Sequence, residues 1–257
     1  MIKLLEFELL HGRPEIGNFI STRRGGVSKG NFQSLNLSLK SGDLLEYVIQ
    51  NRSILAKEIG LQPDHLLFPD QCHTNRVKIV SKEDSHRDLA ETDALVTDQA
   101  GIGLCILAAD CVPVLLFDPV RKVVAAMHAG WKGTVRQIVT TTIGQMKNSF
   151  GSDPCNILAG IGPAISQKKY EVGDEVTAQF RTLFNDHPEI IWRNPQTGSD
   201  HLDLQEANRI LLLESGISTK NIEVMRICTW SNPDLFFSAR RDGFNCGRFA
   251  TGIMLIP

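Results

Sequence analysis

The sequence predicts an α+β fold, because segments typical of β-strands outnumber helical segments and do not alternate with them strictly. Eight segments have the β-branched and aliphatic composition of strands: RVKIVS, DALVTD, IGLCILA, VPVLLFD, KVVAAMH, NILAGIG, IEVMRICT and ATGIMLI. The chain has 257 residues, of which 42% are hydrophobic, and it contains no repeat and no long Gly/Ser/Pro linker. We therefore expect residues 1–257 to form a single domain built on mixed sheets.

Four segments are predicted to be helices from their apolar periodicity and their ends. The segment GDLLEYVIQNRSILAKEIG has Asp43 in the N-cap position and Glu46 three residues later. The segment GTVRQIVTTTIGQMKNSFG has Thr134 and Gln137 at the spacing of a capping box. Two further helices are expected over residues 172–184 and 203–216.

Charge and cysteine usage exclude several classes of protein. The net charge of −2 gives no reason to expect a basic surface that binds nucleic acid or a membrane. No apolar run approaches the ~20 residues of a spanning helix, and the first residues lack the features of a signal peptide. The six cysteines lack CxxC spacing, so we interpret them first as reduced, small hydrophobic residues. These observations predict a cytoplasmic protein without a nucleic-acid or membrane partner, and they leave its oligomeric state open.

The segment LCILAADCVPVLLFDPVRKVVAAMHAGWKGTV carries a candidate metal site. Its two apolar runs are joined by DPVR, and Asp-Pro favours a turn, so we predict an antiparallel hairpin. If Phe117 lies opposite Lys122, then Cys111 lies opposite His128, with Cβ atoms ~5 Å apart. His73, in FPDQCHTNRVKIV, precedes another predicted strand. Three such ligands with an open fourth position are typical of a catalytic zinc site.

Other interpretations of these residues remain open. Cys111 and His128 could be a buried thiol and a hydrogen-bonded imidazole at a strand end. They could also be the nucleophile and base of a cysteine hydrolase, although such an enzyme needs no second histidine, whereas a zinc site uses His73. A metal-binding module without catalysis is a third interpretation. Cys72 and His65 are alternative ligands, but Cys72 is expected to point away from His73 in an extended segment.

Arg52 is the strongest candidate for binding an anion. It falls on the apolar stripe of the first predicted helix, between Val48 and Leu55. An arginine that faces a core is rare unless it is paired or binds an anion. The alternative is a buried ion pair with a carboxylate.

Two further arginine-containing turns are candidates for substrate binding. Arg23 lies in STRRGGVS beside glycines that expose backbone N–H groups, although a solvated turn explains this segment as well. Arg241 lies in SARRDG, where we expect one arginine to pair with Asp242. Asp110, directly before Cys111, is a candidate for supporting the metal or for general acid–base catalysis.

Motifs along nearly the whole chain resemble those of one family. They are STRRGGVS, SLNLS, QCHTNRV, TDALVT, ADCVPVLLFDP, HAGWKGTV, GPAI, YEVGDEV and FFSARRDGFNCGRFATGIML. In this order they resemble the laccase-domain, or multicopper-polyphenol-oxidase-like, proteins of the YfiH type, members of which are described as zinc-dependent purine nucleoside phosphorylases. The resemblance implies a four-layer α/β/β/α sandwich and one zinc ion per chain on His73, Cys111 and His128.

The resemblance also implies substrates. They are purine nucleosides and phosphate, converted to free base and ribose 1-phosphate, with adenosine deamination as an accompanying activity. It raises Asn36 and Arg52 as site residues. The chain lacks the H-x-E…P-C-x-x-C signature of known zinc deaminases, so a deaminase activity would use another arrangement.

Laccase chemistry is not supported by the sequence. Multicopper oxidation requires several copper sites and many histidines, whereas this chain has seven histidines and no His-x-His pair. A single copper ion in place of zinc remains an alternative, because copper outcompetes zinc at most sites of this kind.

Overall fold

The computed structural model describes residues 2–84 and 86–257, and its framework is a pair of large mixed sheets. The strands of this part of the chain are β1 (Leu4–Leu5), β2 (Ile16–Ser21), β3 (Leu66–Leu67), β4 (Val77–Ile79), β5 (Ala94–Thr97), β6 (Gly103–Ala108), β7 (Val112–Asp118), β8 (Val123–Ala129), β9 (Leu158–Ile161), β10 (Glu171–Val172), β11 (Ile191–Arg193), β12 (Asp200–Leu202), β13 (Ile222–Val224) and β14 (Phe249–Leu255). Its α-helices are α1 (Leu45–Glu58), α2 (Trp131–Val135), α3 (Ile138–Phe150), α4 (Asp174–Leu183), α5 (Leu204–Glu214) and α6 (Ala239–Asp242).

The two large sheets join distant parts of the chain. The first has the strand order β1-β2-β14-β6-β3, and the second has the order β13-β9-β7-β8-β5-β4. Each contains both parallel and antiparallel pairs. Because β2 pairs with β14, strands from the two ends of the chain share one sheet. A small third sheet has the order β10-β12-β11.

Alternation along the strands produces four layers. From β6, Leu104 and Ile106 pack between the two sheets, whereas Cys105 on the opposite face packs with Leu55 of α1. From β7, Leu115 faces the space between the sheets, and its neighbours along the strand pack against α3, α4 and α5. All residues of β7 and β8 are buried, as expected for strands that are covered on both faces. The α/β/β/α sandwich is therefore confirmed.

The predicted cap of the first helix is wrong. α1 begins at Leu45, and no side chain caps it. Asp43 instead accepts hydrogen bonds from Ser28 Oγ at 2.6 Å and from Asn36 Nδ2 at 3.0 Å. The carboxylate therefore fixes the loop that precedes the helix.

The second predicted helix is divided into α2 and α3. Gln137, between them, has a left-handed φ of 58°, so it cannot continue the helix and instead occupies the N-cap position of α3. Thr134 does not cap a helix, because its hydroxyl donates to the carbonyl of Gly130 at 3.0 Å and lies beside Asn208 of α5. α2 is therefore a separate helix of five residues that follows β8 after Gly130.

The hairpin of β7 and β8 is present, but its assumed register is wrong. Phe117 pairs with Val124, not with Lys122, which takes a left-handed φ of 54° in the turn. Cys111 is therefore two positions away from the residue opposite His128. Because side chains alternate with a period of two, a shift of two leaves both residues on the same side of the sheet, as diagonal neighbours.

Candidate metal centre and the adjoining cavity

The predicted ligands meet at one end of the second sheet. Cys111 directly precedes β7 and His128 lies near the end of the antiparallel β8, so the topology brings both to the same edge. His73 reaches this edge from the loop before β4. One ligand atom from each of the three residues lies within 4.8 Å of the others. A single ion that binds nitrogen and sulfur at roughly 2.0–2.3 Å fits such a set.

Asp93, at the entrance to β5, holds two of the ligands in place. Its carboxylate accepts hydrogen bonds from the backbone N–H groups of Cys72, His73 and Thr74 at 3.1, 3.0 and 2.8 Å. These bonds fix the loop in which His73 has a left-handed φ of 63°. Asp93 Oδ1 also lies 2.9 Å from His128 Nδ1, so that nitrogen donates to the carboxylate and Nε2 is left for a metal.

The site stabilises a thiolate. Burial alone would raise the pKa of Cys111, but attraction and hydrogen bonding to His128, and then to His73, lower it to about 6. Burial would lower the pKa of His128, but the Cys111 thiolate and Asp93 raise it to about 9. Burial likewise opposes ionisation of Asp93, yet the bonds from His128 and Thr74 hold its pKa well below the ordinary range. A thiolate and two imidazoles form a donor set suited to zinc or copper.

Gly130 leaves room for the ligands. A Cβ atom at this position would lie 3.0 Å from Cys111 Sγ and 3.0 Å from His73 Cδ2. Either contact would push a ligand side chain out of place. Gly130, two residues after the predicted strand segment KVVAAMH, therefore belongs to the site.

A cavity of about 460 Å³ opens beside the three ligands. His73, Cys111 and His128 line one side of it, and Arg52 of α1 lines another. The structure thus brings together the residues predicted to bind metal and the residue predicted to bind an anion. The lining also contains polar and aromatic residues that were not predicted from the sequence: Ser38, Lys40, Ser41, Phe68, Asp70, Gln71, Phe244 and Arg248. Among them, Lys40 and Asp70 form an ion pair.

Arg52 forms no ion pair within residues 2–84 and 86–257. Its Nε donates to the carbonyl of Leu37 at 3.0 Å, and its guanidinium lies 4.0 Å from the centre of the Phe68 ring. Burial lowers the pKa of Arg52 to about 10, so the group remains charged at neutral pH. A partly buried cation with no carboxylate partner in the described chain is suited to receive an anion.

Asn36 lies behind the cavity wall. Its amide donates to Ser41 Oγ at 2.8 Å and to Asp43 Oδ2 at 3.0 Å, while its oxygen accepts from the backbone N–H of Arg248 at 2.9 Å. Asn36 is fully buried and is not part of the lining. It therefore positions Ser41 and Arg248, which do line the cavity, and its direct contact with a substrate stays a prediction.

Arg23 and Arg241 lie outside the cavity lining. Arg23 donates to the carbonyls of Gln33 and Pro233, at 2.8 and 3.0 Å. Arg241 pairs with Asp242 at 2.6 Å, which confirms that prediction, and it also donates to backbone carbonyls, including that of Phe236. Both guanidinium groups therefore tie loops together.

Asp110 is turned away from the metal ligands. It has a φ of 94°, and its carboxylate accepts from Thr229 Oγ1 at 2.6 Å and from the backbone N–H of Arg240 at 2.7 Å. The carboxylate that contacts a ligand is that of Asp93, which the sequence analysis missed. In its segment, TDALVT, Asp93 directly precedes a buried strand, and this position could have suggested a carboxylate at the same end of the sheet as the ligands.

The alternative ligands lie elsewhere. Among the described residues, the one group with the geometry to hold a metal is His73, Cys111 and His128, and it includes neither Cys72 nor His65. Cys72 is exposed. Within the described parts of the chain, no helix has the length and apolar composition needed to cross a membrane.

A sandwich of this kind, with two histidines and one cysteine together at one end of its second sheet, corresponds to an established family. The family's sequence model, described as "Multi-copper polyphenol oxidoreductase laccase", matches residues 17–256, and the chain belongs to that family. The similarity to individual members extends over nearly the full length.

Curated relatives carry two kinds of name. A Bacteroides thetaiotaomicron protein named purine nucleoside phosphorylase is 40% identical, over 98% of this chain and 96% of its own length. Adenosine deaminase RL5, from an unknown prokaryotic organism, is 39% identical over 91% of this chain and 92% of its own. The crystal structure of YlmD from Geobacillus stearothermophilus has a TM-score of 0.92 at 33% identity, covering 99% of this chain and 96% of that one. Another YlmD, from Bacillus subtilis, is named purine nucleoside phosphorylase.

Proposed function

We propose that the protein is a zinc-dependent purine nucleoside phosphorylase with an accompanying adenosine deaminase activity. One observation supports the proposal above all: a single cavity is lined by His73, Cys111 and His128 and also by Arg52. Arg52 is charged and has no carboxylate partner in the described chain. The names of the relatives supply the substrate class, which is adenosine, inosine or guanosine together with phosphate. Because the ligands include a thiolate, a reducing compartment suits the site, and we propose the cytoplasm.

The chain's own residues have distinct roles in phosphorolysis. Arg52 would bind phosphate through its terminal nitrogens, because its Nε is already held by Leu37. Arg248, which lines the same cavity, adds positive charge around the anion, whereas Lys40 in the lining is paired with Asp70. Phosphate oxygen forms a bond to C1′ of the ribose as the bond from C1′ to the purine nitrogen breaks, and the purine leaves with the electron pair and takes up a proton.

The metal would be held by His73, Cys111 and His128. When bound, zinc supplies Lewis-acid polarisation of an atom placed in the cavity. Asp93 orients the His128 ring through Nδ1, and Cys111 provides the negative charge that balances the ion. In deamination, water replaces the amino group at C6 of adenosine and ammonia leaves. Copper in the same donor set is the alternative metal.

A phosphate-dependence assay on purified, metal-analysed protein tests the proposal. We expect about one zinc ion per chain, and we expect release of hypoxanthine from inosine only when phosphate is present. Chelation should abolish this release. Adenosine should yield inosine with or without phosphate. The double variant His73→Ala/Cys111→Ser should lose both the metal and both activities, and full zinc occupancy in that variant would contradict the ligand assignment.

A cysteine hydrolase is the second candidate, because Cys111 has a lowered pKa and lies 3.9 Å from His73 Nε2. In that enzyme Cys111 would be the nucleophile and a histidine the base. The two candidates differ in their response to inhibitors. Iodoacetamide inactivation of an enzyme that keeps full activity after zinc removal would support the hydrolase and would contradict the phosphorylase.

A further inference from the structure

The short helix α2 packs against the backbone of the two segments that carry His73 and His128. A Cβ atom at Gly133 of this helix would lie 3.2 Å from the carbonyl oxygen of His128 and 3.4 Å from that of Thr74. The helix therefore lies beside the end of β8 and beside the loop of His73. Its position bears on both histidines, although α2 itself contributes no ligand.

The break between α2 and α3 places Arg136 against the His73 loop. Arg136 is the C-cap residue of α2, and its Nη1 donates to the carbonyl of His73 at 2.9 Å. In a continuous helix the carbonyl of Arg136 would accept from residue 140, but the left-handed Gln137 ends the helix. Asn75 Nδ2 donates to that carbonyl instead, at 3.0 Å. Two hydrogen bonds of opposite direction thus connect the junction to a loop that lies 61 to 63 positions earlier in the chain.

The peptide group between His73 and Thr74 is held at both ends. Its N–H, from Thr74, donates to Asp93 Oδ2 at 2.8 Å, and its carbonyl, from His73, accepts from Arg136. The carboxylate therefore faces the positive end of the peptide dipole, and the guanidinium faces the negative end. Both charges favour the same orientation of this peptide group.

The orientation matters because His73 has an unfavourable backbone conformation. Its φ of 63° lies in the left-handed region, which residues with a Cβ rarely adopt, so tertiary bonds must offset the cost. Asp93 fixes the N–H on the amino side of His73 at 3.0 Å, and Arg136 helps to fix the peptide on its carboxyl side. With both peptides fixed, the ring is directed towards Cys111, whose Sγ lies 3.9 Å from Nε2 of His73.

We propose that Arg136 is a positioning residue for His73, whose loop it holds in the conformation in which the imidazole can bind the metal. The proposal rests on the function proposed above, because it takes His73, Cys111 and His128 as the ligands. Arg136 is exposed and does not line the cavity, so it acts through the loop and not on the substrate. Without its hydrogen bond the ligands remain present, but part of the binding energy of the metal is used to order the His73 loop.

Chelator competition with Arg136→Met tests the proposal, because methionine keeps the stem of the side chain and removes the donors. We expect zinc to bind roughly three- to tenfold less tightly, the effect of one hydrogen bond of ordinary strength. Removal of a positive charge would by itself favour a cation, so a loss of affinity reports the lost hydrogen bond. Arg136→Lys, which can still donate to a carbonyl, should recover most of the affinity.

Arg121→Met is the matched control. Arg121 is also an exposed arginine that donates to a backbone carbonyl, that of Gly151 at 3.0 Å, but it lies in the turn at the other end of β7 and β8. We expect Arg121→Met to keep the zinc affinity of the wild type. A loss in Arg121→Met as large as that in Arg136→Met would reduce the effect to general destabilisation and would overturn the proposal.

Hydrogen exchange in the metal-free protein gives a second readout that does not depend on zinc. We expect the amide of Thr74 to exchange roughly threefold faster or more in Arg136→Met, because the loop opens more often, and to be unchanged in Arg121→Met. A wild-type exchange rate in Arg136→Met would overturn the proposal, as would a wild-type zinc affinity. A wild-type protein that binds no zinc would instead contradict the function proposed above, and the role of Arg136 would fall with it.

Discussion

Asp93 supports the metal centre, although it is not itself a ligand. Its carboxylate bonds to His128 Nδ1 and to the backbone of the His73 loop. We expect Asp93→Asn to lower zinc affinity roughly 10- to 100-fold, as loss of a carboxylate behind a ligating histidine does. Competition with a chromophoric chelator measures this change.

Asp110→Asn is the matched control, because Asp110 is also a buried aspartate next to the site but bonds to Thr229 and to the backbone of Arg240. We expect its zinc affinity to stay within a few fold of the wild type. A larger loss in Asp110→Asn than in Asp93→Asn would show that the sequence-based choice of Asp110 was right and that the role assigned to Asp93 is wrong.

The paired pKa shifts of Cys111 and His128 determine how the metal-free protein responds to pH. Cys111 has a lowered pKa of about 6, so its contribution to stability is present above its unfolded pKa and is lost as the pH falls through 6. His128 has a raised pKa of about 9, so its contribution is present below its unfolded pKa and is lost as the pH rises through 9. Between the pKa values that the two groups have in the unfolded and in the folded protein, folding moves one proton from the thiol to the imidazole. In this range the two groups therefore change the stability with pH in opposite directions. The pair therefore adds stability there without adding a pH dependence.

Metal binding should expel that proton. In the metal-free protein at neutral pH the proton is on His128, and a ligating Nε2 cannot keep it. We expect zinc binding to release about one proton per chain near pH 7.5. Calorimetry in buffers with different ionisation enthalpies measures the number. His128→Gln should still release about one proton, because without the imidazole burial raises the pKa of Cys111 and the thiol keeps its proton until the metal binds. Release of no proton by the wild type would mean that His128 is neutral before the metal binds.

At the scale of elements, the turn from β8 into α2 sets the space available to the ligands. Gly130 lies in this turn, and an added Cβ would be 3.0 Å from Cys111 Sγ. Its φ of −67° is accessible to alanine, so Gly130→Ala should fold. We expect it to lose zinc affinity on the order of tenfold, comparable with loss of a supporting partner, because ligand atoms must shift.

Gly144→Ala in α3 is the matched control, since a Cβ there meets no atom within 4 Å. We expect this variant to keep its zinc affinity and to gain roughly 0.5–1 kcal/mol of stability from helix propensity. Chelator competition and thermal melts of both variants, side by side, check these outcomes. An unchanged zinc affinity in Gly130→Ala would show that the turn tolerates a side chain.

The limits of the sequence-based predictions also lie at this scale. The strands predicted from composition are present, because continuous apolar runs such as those of β7 and β8 identify buried strands without knowledge of their neighbours. β2 was missed because IGNFIS contains Gly17 and Asn18, and its burial comes from β14 at the other end of the chain. The hairpin register was shifted because Lys122 takes a left-handed conformation in the turn, which residue type alone does not reveal.

The members of the candidate site that could be predicted from the sequence are those whose residue type is typical of metal binding. Cysteine and histidine are uncommon and suggested the ligands even with a wrong register. Asp93 is one of 29 acidic residues, and its contact with His128 spans 35 positions along the chain, so no local pattern identified it. Arg23 and Arg241 are arginines, as expected for an anion site, but they donate to backbone carbonyls. Whether an arginine contacts a carbonyl or a ligand depends on the fold and not on the residue type.

At the scale of the whole molecule, the cavity exists because two layers meet beside it. The second sheet supplies His73, Cys111 and His128 at its edge, and α1, on the outer face of the first sheet, supplies Arg52. The two parts share no hydrogen bond among the described residues, so metal binding and anion binding should be separable by mutation. Because the metal ligands and Arg52 come from different layers, a substitution in one layer should leave the other group in place.

Arg52→Gln should therefore weaken the use of phosphate and leave the metal in place. Charge-assisted hydrogen bonds contribute roughly 1.5–3 kcal/mol, so we expect the KM for phosphate to rise roughly 10- to 100-fold. Zinc occupancy should be unchanged, and phosphate-independent deamination of adenosine should persist. Arg52→Lys, which keeps the charge but not the planar donor group, should lie between the two proteins. Steady-state kinetics at varied phosphate, with metal analysis and thermal melts of each variant, measure these effects. A variant that unfolds at low temperature yet keeps the wild-type dependence on phosphate would make Arg52 a packing residue on Phe68 and would contradict its role in binding the anion.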